Sequence, residues 1–343
     1  MRFADGSGRH RVWRYLGAPL LLVIPDICYA ATTELSGLVE AEMSAGKNFQ
    51  NQNVGDIKLA TAAVAIDSEI NEWYRAHVSL LYEEDQTDLE VDEGFIQSGN
   101  SFLGAFFFKA GQFYVPFGTF QSHMISDPLT LALGETRESA VVVTYDNGFI
   151  LSGYLFNGAL TKPGGENKVD NFGVSIGFVY RSDAWMLDIG GGYINNLGES
   201  DTLDQVITTN LDGNEVDYVP GFMGYLALQW GTFQIIGELI AADGEFNTGE
   251  VQTSKRSKPS ATNVELGYTF SSGLNIAVGF QNTVDLAGLN GFPESRALLG
   301  LSYRINQGTT VAFEYASDSD YSQADGGSGN SASTATLQLA TVF

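Results

Sequence analysis

One cysteine, Cys28, is all the thiol chemistry in these 343 residues, and it lies among the first 30. The rest of the chain therefore cannot form disulfides or thiolate metal sites. Histidine is nearly as scarce. His10 lies in the same leading segment, which leaves His77 and His123. Acid–base or nucleophilic catalysis needs an imidazole beside an acid or a hydroxyl. His77 falls mid-strand with no acid partner evident at a fixed spacing, and His123 falls in a loop, so no enzyme activity, cofactor or bound metal is expected. Basic residues are also few: 17 Lys and Arg against 41 Asp and Glu, a net charge of −24. That balance excludes a nucleic-acid footprint. No long apolar run follows residue 30 and the mean hydropathy is −0.02. A helical membrane protein is thereby excluded, whereas a membrane barrel, in which only alternate residues meet lipid, is not.

The leading segment has its own logic. Arg2, Arg9, Arg11 and Arg14 precede an apolar stretch at residues 15–25 (YLGAPLLLVIP), and Cys28-Tyr29-Ala30 offers small residues for cleavage after Ala30. This is the build of an export signal. Acylation of Cys28 is the alternative, disfavoured by its neighbours Pro25, Asp26 and Ile27. Residues 1–30 are thus expected to be a signal peptide and residues 31–343 one domain. Removing four Arg, Asp5 and Asp26 leaves 13 basic and 39 acidic side chains, a net of −26.

What is abundant is alternation. From about Glu34 onward, sixteen segments of roughly ten alternating residues can be counted, with fourteen as the alternative count. Tyr74, Val78, Leu80 and Tyr82 alternate with Arg75, His77, Ser79 and Glu83; Leu266, Tyr268 and Phe270 alternate with Glu265, Gly267 and Thr269. Residues 89–96 and 139–145 are the least clear segments. The connections sort by parity. Residues 67–72, 97–101, 146–148, 181–183, 231–232, 271–273 and 306–308 are short. The intervening connections are mostly long: 46–54, 115–137, 158–170, 195–217, 243–260, 285–293 and 317–332. A soluble sandwich has no cause to sort its loops this way. An up-and-down antiparallel barrel crossing a bilayer does, because its ends face different compartments. Aromatics near the segment ends suit interfacial girdles. The closing strand (TATLQLATVF) ends on Phe343, a form that resembles the signal read by the barrel-assembly machinery. The expectation is an all-β transmembrane barrel in the outer membrane of a Gram-negative bacterium, contacting lipid and lipopolysaccharide. Its lumen is expected to be water-filled, with no separate plug because the first strand starts close to Ala31.

Selectivity is expected at the third long loop, residues 115–137 (VPFGTFQSHMISDPLTLALGETR), which is too apolar to project into water. Asp127 and Pro128 can start a short helix ended by Gly134. Phe117, Phe120, Met124, Asp127 and Glu135 are the candidate constriction residues. Arg75, Lys109, Arg137, Arg181, Arg296 and Arg304 are candidate lumen cations, with the acids placed in outer loops, since a narrow low-dielectric channel focuses the field of its lining charges. Residues 83–93 (EEDQTDLEVDE) form the densest acidic stretch, read as a solvated hairpin in preference to a cation site. Lys255, Arg256 and Lys258 form a basic cluster suited to lipopolysaccharide phosphate or to plain solvation.

Several stretches are similar to the LbtU-family siderophore porins: residues 69–85 (EINEWYRAHVSLLYEED), 89–94 (LEVDEG), 111–118 (GQFYVPFG), 124–139 (MISDPLTLALGETRES) and 191–196 (GGYINN). The resemblance implies a porin that admits a ferric siderophore for iron uptake without a plug or direct energy coupling. The competing reading is a general or differently selective porin for small polar solutes. An oligomer is compatible with either.

Overall fold

Alternating side chains commit each segment to two faces, and closing the sheet turns one face to a lumen and the other outward. A computed structural model of the chain describes residues 18–19, 32–99, 104–165, 169–211, 213–252, 254–289 and 291–343. The expected signal lies outside the described residues, apart from a two-residue bridge, Ala18–Pro19, against Glu34 and Leu35. Sixteen strands follow: β1 Thr32–Lys47, β2 Asn53–Glu69, β3 Tyr74–Glu83, β4 Thr87–Gly99, β5 Phe106–Tyr114, β6 Arg137–Asp146, β7 Phe149–Phe156 and β8 Asn171–Arg181. The second half comprises β9 Trp185–Ile194, β10 Gly221–Trp230, β11 Phe233–Ala242, β12 Ser260–Thr269, β13 Leu274–Val284, β14 Ser295–Arg304, β15 Thr309–Ser319 and β16 Ser331–Val342. Each pairs antiparallel with its neighbours in chain order, and β16 closes on β1 from Ser333 opposite Lys47 to Val342 opposite Leu38.

The count of sixteen holds, and the two indistinct segments are the strands β4 and β6. The loop parity fails at its first two odd connections, because β1 and β2 are joined by only five residues, 48–52, and β3 and β4 by only three, 84–86. Phe343 extends the closing seam. It exchanges two backbone hydrogen bonds with Gly37, and a Cβ on Gly37 would lie 2.2 Å from the Phe343 ring. Only glycine admits that ring here.

The outward face is apolar. On β12, Val264 and Leu266 are about half exposed, while the inward Asn263 and Glu265 are fully buried. Aromatics gather at the two rims. Tyr180 meets Trp185 and Phe233 meets Tyr268 at the short-turn rim; Tyr193 meets Phe222 at the long-loop rim. A band of this kind, bordered by amphipathic rings, is matched to hydrocarbon between two interfaces.

The main apolar core lies inside the barrel and is built largely from loops. The 115–136 loop folds inward and carries helix α1, Leu129–Gly134. The 195–220 connection carries a 3-10 turn, Leu197–Glu199, and helix α2, Asp201–Leu211. Phe117, Leu129 and Leu133 join Leu160, Leu197, Leu203, Ile207, Phe246 and the wall residue Ile240 in one buried cluster. Each such side chain contributes roughly 1.5–3 kcal/mol on burial, so the inserted loops have a core of their own.

Candidate solute pathway

A loop laid across a lumen must satisfy its irregular backbone without a neighbouring strand. This one uses wall carboxylates. Glu238 on β11 accepts the Thr119 N–H at 2.7 Å, the Phe120 N–H at 3.3 Å and the Thr130 hydroxyl at 2.7 Å. Glu265 on β12 accepts the Ser122 hydroxyl at 2.8 Å and the His123 N–H at 2.6 Å. Glu314 on β15 accepts the N–H groups of Ile125 at 2.6 Å and Ser126 at 2.9 Å. Gln281 on β13 accepts the Leu129 N–H at 3.3 Å. The three glutamates are 5%, 0% and 3% exposed. Charge-assisted bonds of this length are stronger than neutral ones, and together they bolt the loop to the far wall. Sequence reasoning missed these acids. The signal was present: each is a lone acid at an inward position beside an outward apolar residue, as Leu239 follows Glu238 and as Phe313 and Tyr315 flank Glu314.

The expected constriction residues divide by role. Phe117 is buried in the core, and Met124 is 4% exposed against Ala277, Leu298 and Ala316 on the wall. A Cβ on Gly300 would lie 2.8 Å from the Met124 sulfur. Phe120 is half-buried with φ of 50°, a left-handed conformation costly for a bulky residue; Glu238 holds it there. Asp127 is half-buried but does not cap α1: Pro128 occupies the N-cap, without a side-chain hydrogen bond. Burial pushes the His123 imidazole down to about 4, so it stays neutral.

Two of the cavities among the described residues, of about 680 and 600 Å³, border the loop. Tyr114 and Glu135 border both. The larger is lined at the long-loop rim by Gln86, Thr87 and Asp88, at its middle by Ser122–Ile125, and at the short-turn rim by Arg304, Gln307 and Gly308. It therefore runs from rim to rim. The smaller starts near Glu34, Glu69 and Arg75 at the short-turn rim and is roofed by residues 115–120 of the loop.

The charge distribution differs from the expected one. Glu40, Glu83, Asp88, Glu90, Asp92, Glu135 and Asp201 line the larger cavity against Arg137 and Arg304. The acids face the lumen, and the six cations do not form one ladder. Arg75 pairs with Glu69 at 2.8 Å, and Arg181 and Arg304 are exposed at the short-turn rim. Arg296 binds Asp318 through two bonds of 2.8 and 3.0 Å. Lys109 lies in the smaller cavity, 4.2 and 3.9 Å from the ring centres of Phe95 and Phe113. Arg137 ties the acidic stretch 83–93 to the base of the loop by pairing with Glu90 and Asp92. That stretch is not the simple solvated hairpin expected. Its register jumps between Val78–Gly94 and Leu80–Val91, a bulge that leaves Asp92 and Glu93 both buried. Among the described residues, no group of three or more His, Cys, Asp or Glu is placed to hold a metal ion.

His77 does have an acid partner. Asp67 lies directly opposite on β2, its Oδ1 2.8 Å from His77 Nδ1, and Phe95 stacks on the ring at 4.8 Å. Strand register, which a linear spacing does not display, made that pair. The basic cluster is partly spoken for: Lys255 pairs with Asp285 at 3.1 Å and Arg256 with Glu245 at 3.3 Å.

No family model matches the chain. It is 28% identical over 326 residues to a UPF0422 protein of Coxiella burnetii, covering 90% of this chain and 68% of that protein. It is 28% identical over 351 residues to UPF0422 protein lpp3030 of Legionella pneumophila, covering 91% of this chain and 62% of that protein. The chain thus spans only about two thirds of the length of these relatives. Among solved structures it is similar to the outer membrane channel DcaP of Acinetobacter baumannii, with a TM-score of 0.61 and 14% identity over 91% of this chain and 97% of that one. An anion-selective porin from Comamonas acidovorans gives a TM-score of 0.61 at 10% identity, over 91% of this chain and 100% of that one. Salmonella typhi OmpF in complex with daunomycin gives 0.61 at 11%, over 91% and 98%. At these identities the likeness is one of fold: a closed sixteen-strand porin-type barrel.

Proposed function

We propose that this barrel is an outer-membrane porin, a passive channel for small polar solutes that favours neutral and cationic ones. One observation carries the reading. An apolar loop bolted across the lumen leaves beside it a rim-to-rim passage whose lining, among the described residues, holds seven acids and two arginines. A narrow passage with low-dielectric walls concentrates the field of its lining charges, so cations are enriched and anions depleted. The apolar outer band supports a bilayer setting, and the aromatic rims support its two interfaces. The test is the reversal potential of the purified barrel in a planar bilayer under a KCl gradient. Permeability to K⁺ above that to Cl⁻ is the expected result; an anion-selective channel contradicts the charge assignment, and a bilayer without channels contradicts the porin reading.

The narrower reading, passage of a ferric siderophore, is supported by the resemblance of residues 111–118 and 124–139, which here are the base and body of the inserted loop. In an acid-lined passage it applies to neutral or cationic ferric complexes. Block of the current by such a complex, and not by its iron-free form, is the expected outcome; currents indifferent to both would leave a general porin.

A further inference from the structure

The two cavities beside the inserted loop meet at one place. Among the described residues, Tyr114 and Glu135 alone line both. On one side of them is the long-loop end of the larger cavity, with Glu90, Asp92 and Arg137. On the other is the smaller cavity, roofed by residues 115–120 and reaching the short-turn rim at Glu34, Glu69 and Arg75. A solute entering at the long-loop rim therefore faces two ways past the loop. One runs by Ser122–Ile125. The other would run by Tyr114.

Tyr114 ends β5, where the chain leaves the wall, and a fault in the neighbouring strand sets its place. Between Val91 and Gly94, β4 carries one residue more than the facing stretch of β3, Val78 to Leu80. Bulges of this kind re-aim side chains, and here Asp92 is 7% exposed and held from several sides. Its Oδ1 accepts the Tyr114 hydroxyl at 2.8 Å and the Arg137 guanidinium at 3.3 Å. Its Oδ2 accepts the Ser79 hydroxyl at 3.4 Å. The Tyr114 ring is thus pinned through a carboxylate acceptor, a stronger tie than a neutral one. Glu135 is fixed through its backbone. Its N–H donates to the Leu131 carbonyl at 2.9 Å, and its carbonyl accepts the Asp201 N–H at 2.9 Å. The ladder joins the two ends of the loop: Tyr114 lies opposite Arg137, and the Val115 N–H donates to the Thr136 carbonyl at 3.0 Å.

We infer that Tyr114, backed by Glu135, is a stop between two legs of the lumen. It shuts the smaller cavity off from the long-loop end, so that solutes crossing the barrel pass Ser122–Ile125. This rests on the porin reading and names the residue that selects the path. Selectivity follows from it, because the legs are lined differently. The smaller holds Lys109, 3.9 Å from the Phe113 ring centre, together with the Arg75–Glu69 and His77–Asp67 pairs. With the stop in place these charges border no through path. The charges of the larger cavity then set the ion preference.

The test is single-channel conductance of the full-length barrel in a planar bilayer, in a Cys28→Ser background. Tyr114→Ala is expected to raise conductance about 1.5-fold, since a leg of similar volume opens in parallel with the first. A thiol in the smaller cavity, Lys109→Cys, supplies a second measurement. Carrying a bulky maleimide, it is expected to leave conductance unchanged while Tyr114 is present. In the Tyr114→Ala background the same label is expected to bring conductance back toward the parent level. A Tyr114→Ala barrel that conducts at the parent level overturns the stop. So does a label at position 109 that lowers conductance beside an intact Tyr114, a result that decides the matter even where Tyr114→Ala does not fold. A parent that forms no channels overturns the porin reading and the stop together. A conducting parent that fails either comparison overturns the stop alone.

Discussion

The inserted loop is held in two different ways along its length. Its second half, α1, is anchored by side chains: Leu129 and Leu133 are 2% and 0% exposed in the core they share with α2 and Ile240. Its first half, residues 119–126, is anchored by its backbone, with amides aimed at Glu238, Glu265 and Glu314. Apart from directional bonds from the Leu129 N–H to Gln281 and the Thr130 hydroxyl to Glu238, the apolar half is held by non-directional burial, which tolerates small shifts. The amide half depends on directional bonds to fixed wall positions, which do not tolerate them. The half that borders the larger passage, Ser122–Ile125, belongs to the directional kind. The shape of that cavity is therefore fixed along residues 122–125.

Removing the loop takes away both anchors at once. Deleting residues 119–133 is expected to raise single-channel conductance about threefold as the lumen regains its cross-section, and unchanged conductance would place the constriction elsewhere. Leu133→Ala attacks the apolar half alone. A cost of about 3 kcal/mol is expected for truncating a fully buried leucine, read as faster amide exchange across residues 128–135 with residues 119–126 still protected. Glu265→Ala attacks the other half. Leaving the Ser122 hydroxyl and the His123 amide without an acceptor is expected to cost about 2 kcal/mol, with exchange rising in residues 119–126 and α1 protected. Exchange rising throughout in both variants would mean that the halves act as one unit. A smaller effect is expected for Arg137→Gln. It frees Glu90 and Asp92 in the passage, so the reversal potential should move further toward that of K⁺. Lys109→Glu should have the smallest effect, because Lys109 faces the other cavity; a large change in selectivity would show that the smaller cavity carries current.

Much of the fold was legible in the sequence because a barrel repeats one rule. Alternation sets two faces, and compartment sets loop length, so sixteen strands and the closing seam at Phe343 can be read along the chain. The apolar half of the loop was legible for a related reason, since Leu129, Leu131 and Leu133 have no business in water. Its anchors were not, because Glu238, Glu265 and Glu314 are more than a hundred residues away from the amides they hold. Only closure of the barrel brings them together. The Asp67–His77 pair was hidden in the same manner by strand register. The charge pattern misled for a different reason: a basic residue at an inward position looks like a lumen cation, but Arg75 and Arg296 are paired by neighbours on adjoining strands.

The hold of the wall carboxylates on the inserted loop rests on Glu238, Glu265 and Glu314. Its most direct test is the single-channel conductance of the triple variant Glu238→Ala, Glu265→Ala and Glu314→Ala, compared in one bilayer system with the parent and with the 119–133 deletion. A raised, noisy conductance approaching that of the deletion is the predicted result. A steady conductance equal to the parent's would show that the apolar half positions the loop alone, and would contradict the account.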